Sequence, residues 1–124
     1  MKIGFIGLGN MGKPMAENLA SGSHSVSGYD ISGEIPDAVA KCDSIAKCVN
    51  NADIVITMLP SGEILKKVAA DAIKGMKDKS ILLDCSTVDV ESSREVAIIS
   101  KNMGIGALDA PVSGGVGEAE AGTL

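Results

Sequence analysis

Short apolar runs alternate with amphipathic stretches along most of the chain. Lys2 to Ile6, Ser25 to Tyr29, Asp53 to Leu59, Ser80 to Asp84 and Ile105 to Asp109 read as strands. The third of these, DIVITML, is β-branched and apolar on both faces, as parallel strands covered by helices on both sides are. Helical patterns fall between them. Asn10 to Ala20 spaces Met11, Met15 and Leu19 four residues apart, with Pro14 in the opening turn, where its missing N–H costs little. Ser44 to Asn50, Ser61 to Ile73 and Asp89 to Lys101 follow, with Ser44 and Ser61 as N-caps and Glu63 in a first turn that favours acidic groups. The region from Ile31 to Ser44 is less regular, and its Asp37 to Cys42 portion has room for a helical stub or a short edge strand. The closing run, DAPVSGGVGEAEAGTL, shows neither a packed helix nor a strand pattern.

Regular alternation of strand and helix predicts an α/β fold, a doubly wound parallel sheet in three α/β/α layers with right-handed crossovers. With 124 residues and 45% hydrophobic content the chain is one domain, residues 1–124. Phe5 and Tyr29 are the only aromatics, so aliphatic side chains and methionine build the core. The formal charge of −5, without a Lys/Arg stripe, argues against a nucleic-acid partner. Cys42, Cys48 and Cys85 are odd in number and lack C-x-x-C spacing, which reads as reduced thiols. His24 is the lone histidine and no metal-ligand cluster is visible. There is no apolar run of membrane-spanning length and no signal sequence, so the expected location is cytoplasmic, or mitochondrial if a presequence has been removed, with no membrane partner.

The chemistry concentrates at the carboxyl ends of the strands, where ligands bind in open α/β sheets. Gly7, Gly9 and Gly12 follow the first strand in G-x-G-x-x-G spacing and run into a helix. Gly7 permits the tight turn, Gly9 lets backbone approach a pyrophosphate, and Gly12 lets the helix pack close, so the spacing predicts a Rossmann-like dinucleotide site. An ordinary glycine-rich turn is the plainer reading. Asp30 closes the second strand 18 positions after Gly12, where a carboxylate accepts the adenosine ribose hydroxyls and repels a 2′-phosphate, favouring NAD over NADP. The alternative for Asp30 is a turn or capping aspartate. Leu59-Pro60, Ser86-Thr87 and Pro111 to Gly115 end other strands. Ser113, Gly114 and Gly115 offer a hydroxyl and accessible N–H groups to a small carboxylate, or else belong to a flexible linker. No base pairs visibly with Ser113, which argues against a nucleophilic serine.

With FIGLGNMGKPMAENL, the Tyr29-Asp30 pair, ADIVITMLP, LDCSTVD and DAPVSGG followed by GEAEAGTL, the sequence resembles the N-terminal domain of the β-hydroxyacid dehydrogenase family. The likeness spans essentially the whole chain. It implies NAD as cofactor, with Gly7, Leu8, Gly9, Asn10, Met11 and Gly12 at the pyrophosphate. Asp30 would take the adenosine ribose, Leu59 and Pro60 the adenine side, and Thr87 the nicotinamide ribose. Ser113, Gly114 and Gly115 would hold a small hydroxy acid substrate. The implied reaction is hydride transfer between NAD and a 3-hydroxy acid, 3-hydroxyisobutyrate or a near relative, giving the semialdehyde. The family's general acid/base lysine falls beyond Leu124, on a helix leading to an all-helical domain that makes most of the dimer contact. No catalytic residue is therefore expected within 1–124, and this stretch alone is expected to be inactive. Other readings are a tartronate semialdehyde or glyoxylate reductase, a 6-phosphogluconate-type dehydrogenase, or a non-catalytic nucleotide-binding module.

Overall fold

Lys2–Ile6 (β1) lies in the middle of a six-stranded parallel sheet, between Ser25–Tyr29 (β2) and Ile54–Thr57 (β4). The computed structural model describes all residues from Met1 to Leu124. The two-residue Ala40–Lys41 (β3) flanks β2, and Ile81–Asp84 (β5) and Gly106–Asp109 (β6) extend the other side. The order β3-β2-β1-β4-β5-β6 reverses direction between β1 and β4, the switch point at which such sheets open a crevice at their carboxyl edge.

Alternate side chains of the central strands go to opposite layers. Val55 and Leu82 face one way and pack with Cys48 and Val49 of Ile45–Val49 (α2), Leu65, Ala69, Ala72 and Ile73 of Gly62–Gly75 (α3), and Val96 of Val90–Asn102 (α4). Ile3, Phe5 and Ile56 face the other way, toward Met15, Ala16 and Leu19 of Gly12–Ser21 (α1). This is the three-layer α/β/α arrangement that the alternation predicts. The two expected caps follow too: Ser44 Oγ accepts from Lys47 N and Ser61 Oγ from Ile64 N, and Asp89, which the sequence reading did not single out as a cap, accepts from Ser92 N, each filling an orphan donor of a first turn. The Asp37 to Cys42 portion resolves as the short edge strand β3, with no full helix between β2 and α2.

The end of the chain departs from expectation. Val116–Ala121 is a six-residue helix (α5), where the sequence pattern shows none. Ala119 is its one buried residue, and Asn18 of α1 donates Nδ2 to the carbonyls of Ala119 at 2.7 Å and Glu120 at 3.3 Å. Gly122 closes the helix in the left-handed conformation. A helix held by one apolar side chain and a distant asparagine leaves no periodic apolar stripe to read. No helix is long and apolar enough to cross a membrane.

Candidate cofactor site

The turn leaving β1 is shaped by crowding. Gly7 has φ +98°, and a Cβ there would strike the Met58 carbonyl oxygen and lie 3.0 Å from Leu59 Cδ2. A Cβ on Gly12 would land on the Gly7 carbonyl oxygen, so α1 starts hard against the loop. Gly9 is different: nothing lies within 4 Å of its Cβ position. That open space belongs to a cavity of about 670 Å³. Gly7, Gly9, Asn10, Met11 and Gly12 form one wall, Asp30 closes the end of β2, and Leu59 and Pro60 come from the turn after β4. Eight of the predicted cofactor residues thus line one cavity. Sequence reasoning missed its apolar flank, Ile45 of α2 with Ile64 and Val68 of α3, and it missed Lys67, the one cationic side chain in the lining. The α3 residues sit at i, i+3 and i+4, a spacing that marks one helical face but not which cavity it borders.

Asp30 is tied into the glycine loop by hydrogen bonds. Its Oδ2 accepts from Leu8 N at 2.7 Å, and its Oδ1 accepts from Ser32 N at 3.0 Å and Ser32 Oγ at 2.7 Å. Burial pushes this carboxyl upward, but the hydrogen bonds from Ser32 and Leu8 outweigh it and hold the group below its ordinary value. The carboxylate is therefore charged at neutral pH, with lone pairs left over on both oxygens. Asp30 is thus a turn aspartate whose side chain braces the loop and also borders the cavity.

A second buried network sets the position of Leu59. Thr57 Oγ1 donates to Asp84 Oδ1 at 2.8 Å, and Ser86 N donates to the same oxygen at 3.1 Å. Ser86 Oγ in turn accepts from Leu59 N at 2.8 Å. Thr57, Asp84 and Ser86 are all buried, so these bonds form away from competing water. The chain Asp84–Ser86–Leu59 fixes the wall formed by Leu59 and Pro60.

The other predicted residues lie elsewhere. The Leu8 side chain is buried in the α1-side core, and only its N–H turns to Asp30. Thr87, Ser113, Gly114 and Gly115 are exposed and are not among the cavity-lining residues. Val112 packs on the α1-side core, which carries the Ser113 to Gly115 segment over that face. His24 precedes β2, at the amino edge of the sheet and away from the cavity. All three cysteines are free thiols, and burial pushes Cys48 up to about 12 and Cys85 up to about 11, so both stay protonated at neutral pH.

The walls suit a nucleotide with its phosphates against the glycine loop. The cavity volume is that of a small-molecule site, the empty Cβ position at Gly9 leaves room for a phosphate against backbone, and no side chain caps the start of α1. The comparisons point the same way. The family profile for the NAD binding domain of 6-phosphogluconate dehydrogenase matches residues 2–124. The chain is 42% identical over 127 residues to a probable 3-hydroxyisobutyrate dehydrogenase of Mycobacterium tuberculosis, covering 98% of this chain and 43% of that protein. It is 41% identical over 130 residues to the 3-hydroxyisobutyrate dehydrogenase of Pseudomonas aeruginosa, covering 98% of this chain and 44% of the relative. Among solved structures, the M. tuberculosis 3-hydroxyisobutyrate dehydrogenase with L-serine superposes with a TM-score of 0.90 at 41% identity, covering 97% of this chain and 43% of that one. The chain thus spans less than half the length of these relatives.

Proposed function

The chain belongs to the family described as the NAD binding domain of 6-phosphogluconate dehydrogenase, and on that premise we propose that it is the cofactor-holding part of an NAD-dependent dehydrogenase acting on 3-hydroxyisobutyrate or a near 3-hydroxy acid. The observation that carries this reading is the cavity at the switch point, where Gly9 and Asp30 stand on two sides of one space. Bound there, NAD supplies the hydride acceptor, and the fold supplies orientation and electrostatics.

The roles divide by element. Gly7, Gly9, Asn10, Met11 and Gly12 would bring backbone to the pyrophosphate, with Lys67 adding positive charge in the same cavity. Asp30 would accept the adenosine ribose hydroxyls on lone pairs not used by Leu8 and Ser32, and its charge would oppose a 2′-phosphate. Leu59 and Pro60 would cover the adenine side with Ile64 and Val68. Thr87 would stand toward the nicotinamide ribose, and Ser113, Gly114 and Gly115 would hold the substrate carboxylate. The reaction also needs a group that takes the hydroxyl proton. His24 lies at the wrong edge of the sheet, the buried thiols stay protonated, and Lys67 sits on the α3 flank among apolar residues. We assign the proton transfer to no residue of 1–124, and dimer formation to other parts of the enzyme.

The test is a calorimetric titration of the 124-residue chain with NADH and with NADPH, repeated for Asp30→Ala. Saturable NADH binding, weaker NADPH binding and loss of that preference in the variant are expected. Equal binding of both in the native chain overturns the NAD assignment, and no binding by a folded chain overturns the cofactor role. Oxidation of 3-hydroxyisobutyrate is then assayed with the longer enzyme that contains this chain. A Ser113→Ala change there should raise the KM for the hydroxy acid with little change in NAD affinity.

A further inference from the structure

The turns that leave β4 and β5 run side by side. Thr57 and Asp84 are register partners in the parallel ladder, and Gly62 and Asp89 stand at equal remove beyond them, as the first residue of α3 and the cap of α4. The turns are joined midway, where Leu59 N donates to Ser86 Oγ at 2.8 Å. They meet again at the helix starts. A Cβ on Gly62 would strike Ser92 Oγ and Asp89 Oδ1 and would lie 2.8 Å from Ser92 Cβ. Gly62 is not among the glycines with positive φ, so it is the closeness of α4, not the backbone conformation, that excludes a side chain here.

The atoms that Gly62 meets are not free to yield. Ser92 is buried, and its N and Oγ both donate to the Asp89 carboxylate, at 3.0 and 2.7 Å. The bonds from Ser92 Oγ and then Ser92 N hold the Asp89 carboxyl below its ordinary value, and Lys66 of α3 adds to them. One carboxylate thus caps α4 and lies against the first turn of α3, an end that favours negative charge. Further along, Lys66 reaches Glu95 of α4 at 3.5 Å, an exposed pair that adds little by itself.

The two turns carry different parts of the site. Leu59 and Pro60, which line the cavity, precede Gly62, and Thr87 precedes Asp89; Gly62, Asp89 and Ser92 themselves do not line the cavity. The single bond between Leu59 and Ser86 leaves the turns free to pivot about it. A second contact beyond that bond fixes their separation.

We propose that the close approach of Gly62 to Asp89 and Ser92 positions the two turns, setting the gap between Leu59-Pro60 and Thr87 that a bound dinucleotide spans. This role presupposes the NAD site proposed above, with Leu59 and Pro60 on the adenine side and Thr87 toward the nicotinamide ribose. A ligand that touches both turns feels the spacing, and one that ends at the adenosine phosphates does not.

The experiment is a calorimetric titration of NADH and of ADP into the native chain, Gly62→Ala and Asp89→Ser. Gly62→Ala pushes α3 away from α4. Asp89→Ser keeps a capping oxygen for α4 but, one atom shorter, withdraws from Gly62, and it serves alone if Gly62→Ala does not fold. NADH affinity is expected to fall about tenfold in each folded variant, the worth of the one hydrogen bond that Thr87 would make to the nicotinamide ribose, while ADP affinity stays within about twofold. A parallel loss of NADH and ADP affinity marks a general loosening of the fold and overturns the positioning role, as does undiminished NADH affinity in the variants. A folded native chain that binds neither nucleotide overturns the NAD site itself, and the positioning role with it.

Discussion

Leu8 donates its backbone N–H to Asp30 Oδ2 at 2.7 Å, joining the loop after β1 to the end of β2. The residue offered by the sequence as a ribose acceptor is thus also a strut of the glycine loop. Loss of nucleotide binding in an Asp30 variant would mix a missing ligand contact with a loosened loop. Measurements without ligand separate the two.

Asp30→Asn keeps the shape and one acceptor oxygen but presents an NH₂ group toward either Leu8 N or Ser32 N. We expect a stability loss of about 1–2 kcal/mol at pH 7 in urea unfolding without nucleotide. The native carboxyl is held below its ordinary value, so its contribution is present above the unfolded-state pKa. That contribution fades as pH falls through the lower folded-state value. The gap between native protein and variant should therefore be constant near neutrality and shrink on acidification to about pH 3. A gap that widens in acid would contradict this assignment of charge.

Two glycines of one motif should respond in opposite ways to the same substitution. Gly9→Ala meets no protein atom within 4 Å, so stability should change by no more than about 1 kcal/mol while the methyl group intrudes on the cavity. NADH affinity should fall sharply. Gly12→Ala drives a methyl into the Gly7 carbonyl, and the cost should exceed about 3 kcal/mol or prevent folding. Thermal melts with and without NADH distinguish the pair. A destabilised Gly9→Ala with normal affinity would mean that the cavity is not where the phosphates go.

What the sequence made legible was local or periodic. The caps at Ser44 and Ser61 act within three residues of themselves, and the apolar strands carry their layer assignment in their composition. The glycine spacing, Asp30 and Leu59-Pro60 pointed to the cavity because each ends a strand of a parallel sheet. The illegible parts depend on partners distant in sequence. Thr57 and Asp84 meet across 27 residues, and nothing in DIVITML announces that its threonine will find a carboxylate. Lys67 looks like any lysine on an amphipathic helix until α3 is docked beside the cavity. The α5 helix is the clearest case, since its sequence is polar and short and its stability comes from α1.

Thr57→Val tests the buried network with almost no change in volume. It removes the donor to Asp84 Oδ1 and leaves a buried carboxylate supported by Ser86 N alone. Destabilisation of about 1–3 kcal/mol is expected from urea unfolding. Because Ser86 also fixes Leu59 N, NADH affinity should drop as well, although Thr57 does not line the cavity. Unchanged affinity alongside a full stability loss would show that the Leu59–Pro60 wall is held by packing rather than by this relay.

Asn18 bears on the segment proposed to hold substrate. Its Nδ2 donates to the Ala119 carbonyl at 2.7 Å, beside the weaker bond that the same carbonyl accepts from Gly122 N at 3.3 Å at the carboxyl end of α5. Isolated helices of this length do not persist in water, so α5 owes its order to this bond and to the burial of Ala119. Asn18→Ala should lower global stability by only about 1 kcal/mol, because the six-stranded sheet and its two cores are untouched. The local effect should be larger: amide exchange across Val116 to Ala121 should speed up far more than exchange in β1 or β4. Ser113 to Gly115 leads directly into α5, so the same variant in the longer enzyme should raise KM for the hydroxy acid and spare NAD binding. Uniform acceleration across the whole chain would instead make Asn18 part of the global core, and the link between α1 and the substrate segment would fall.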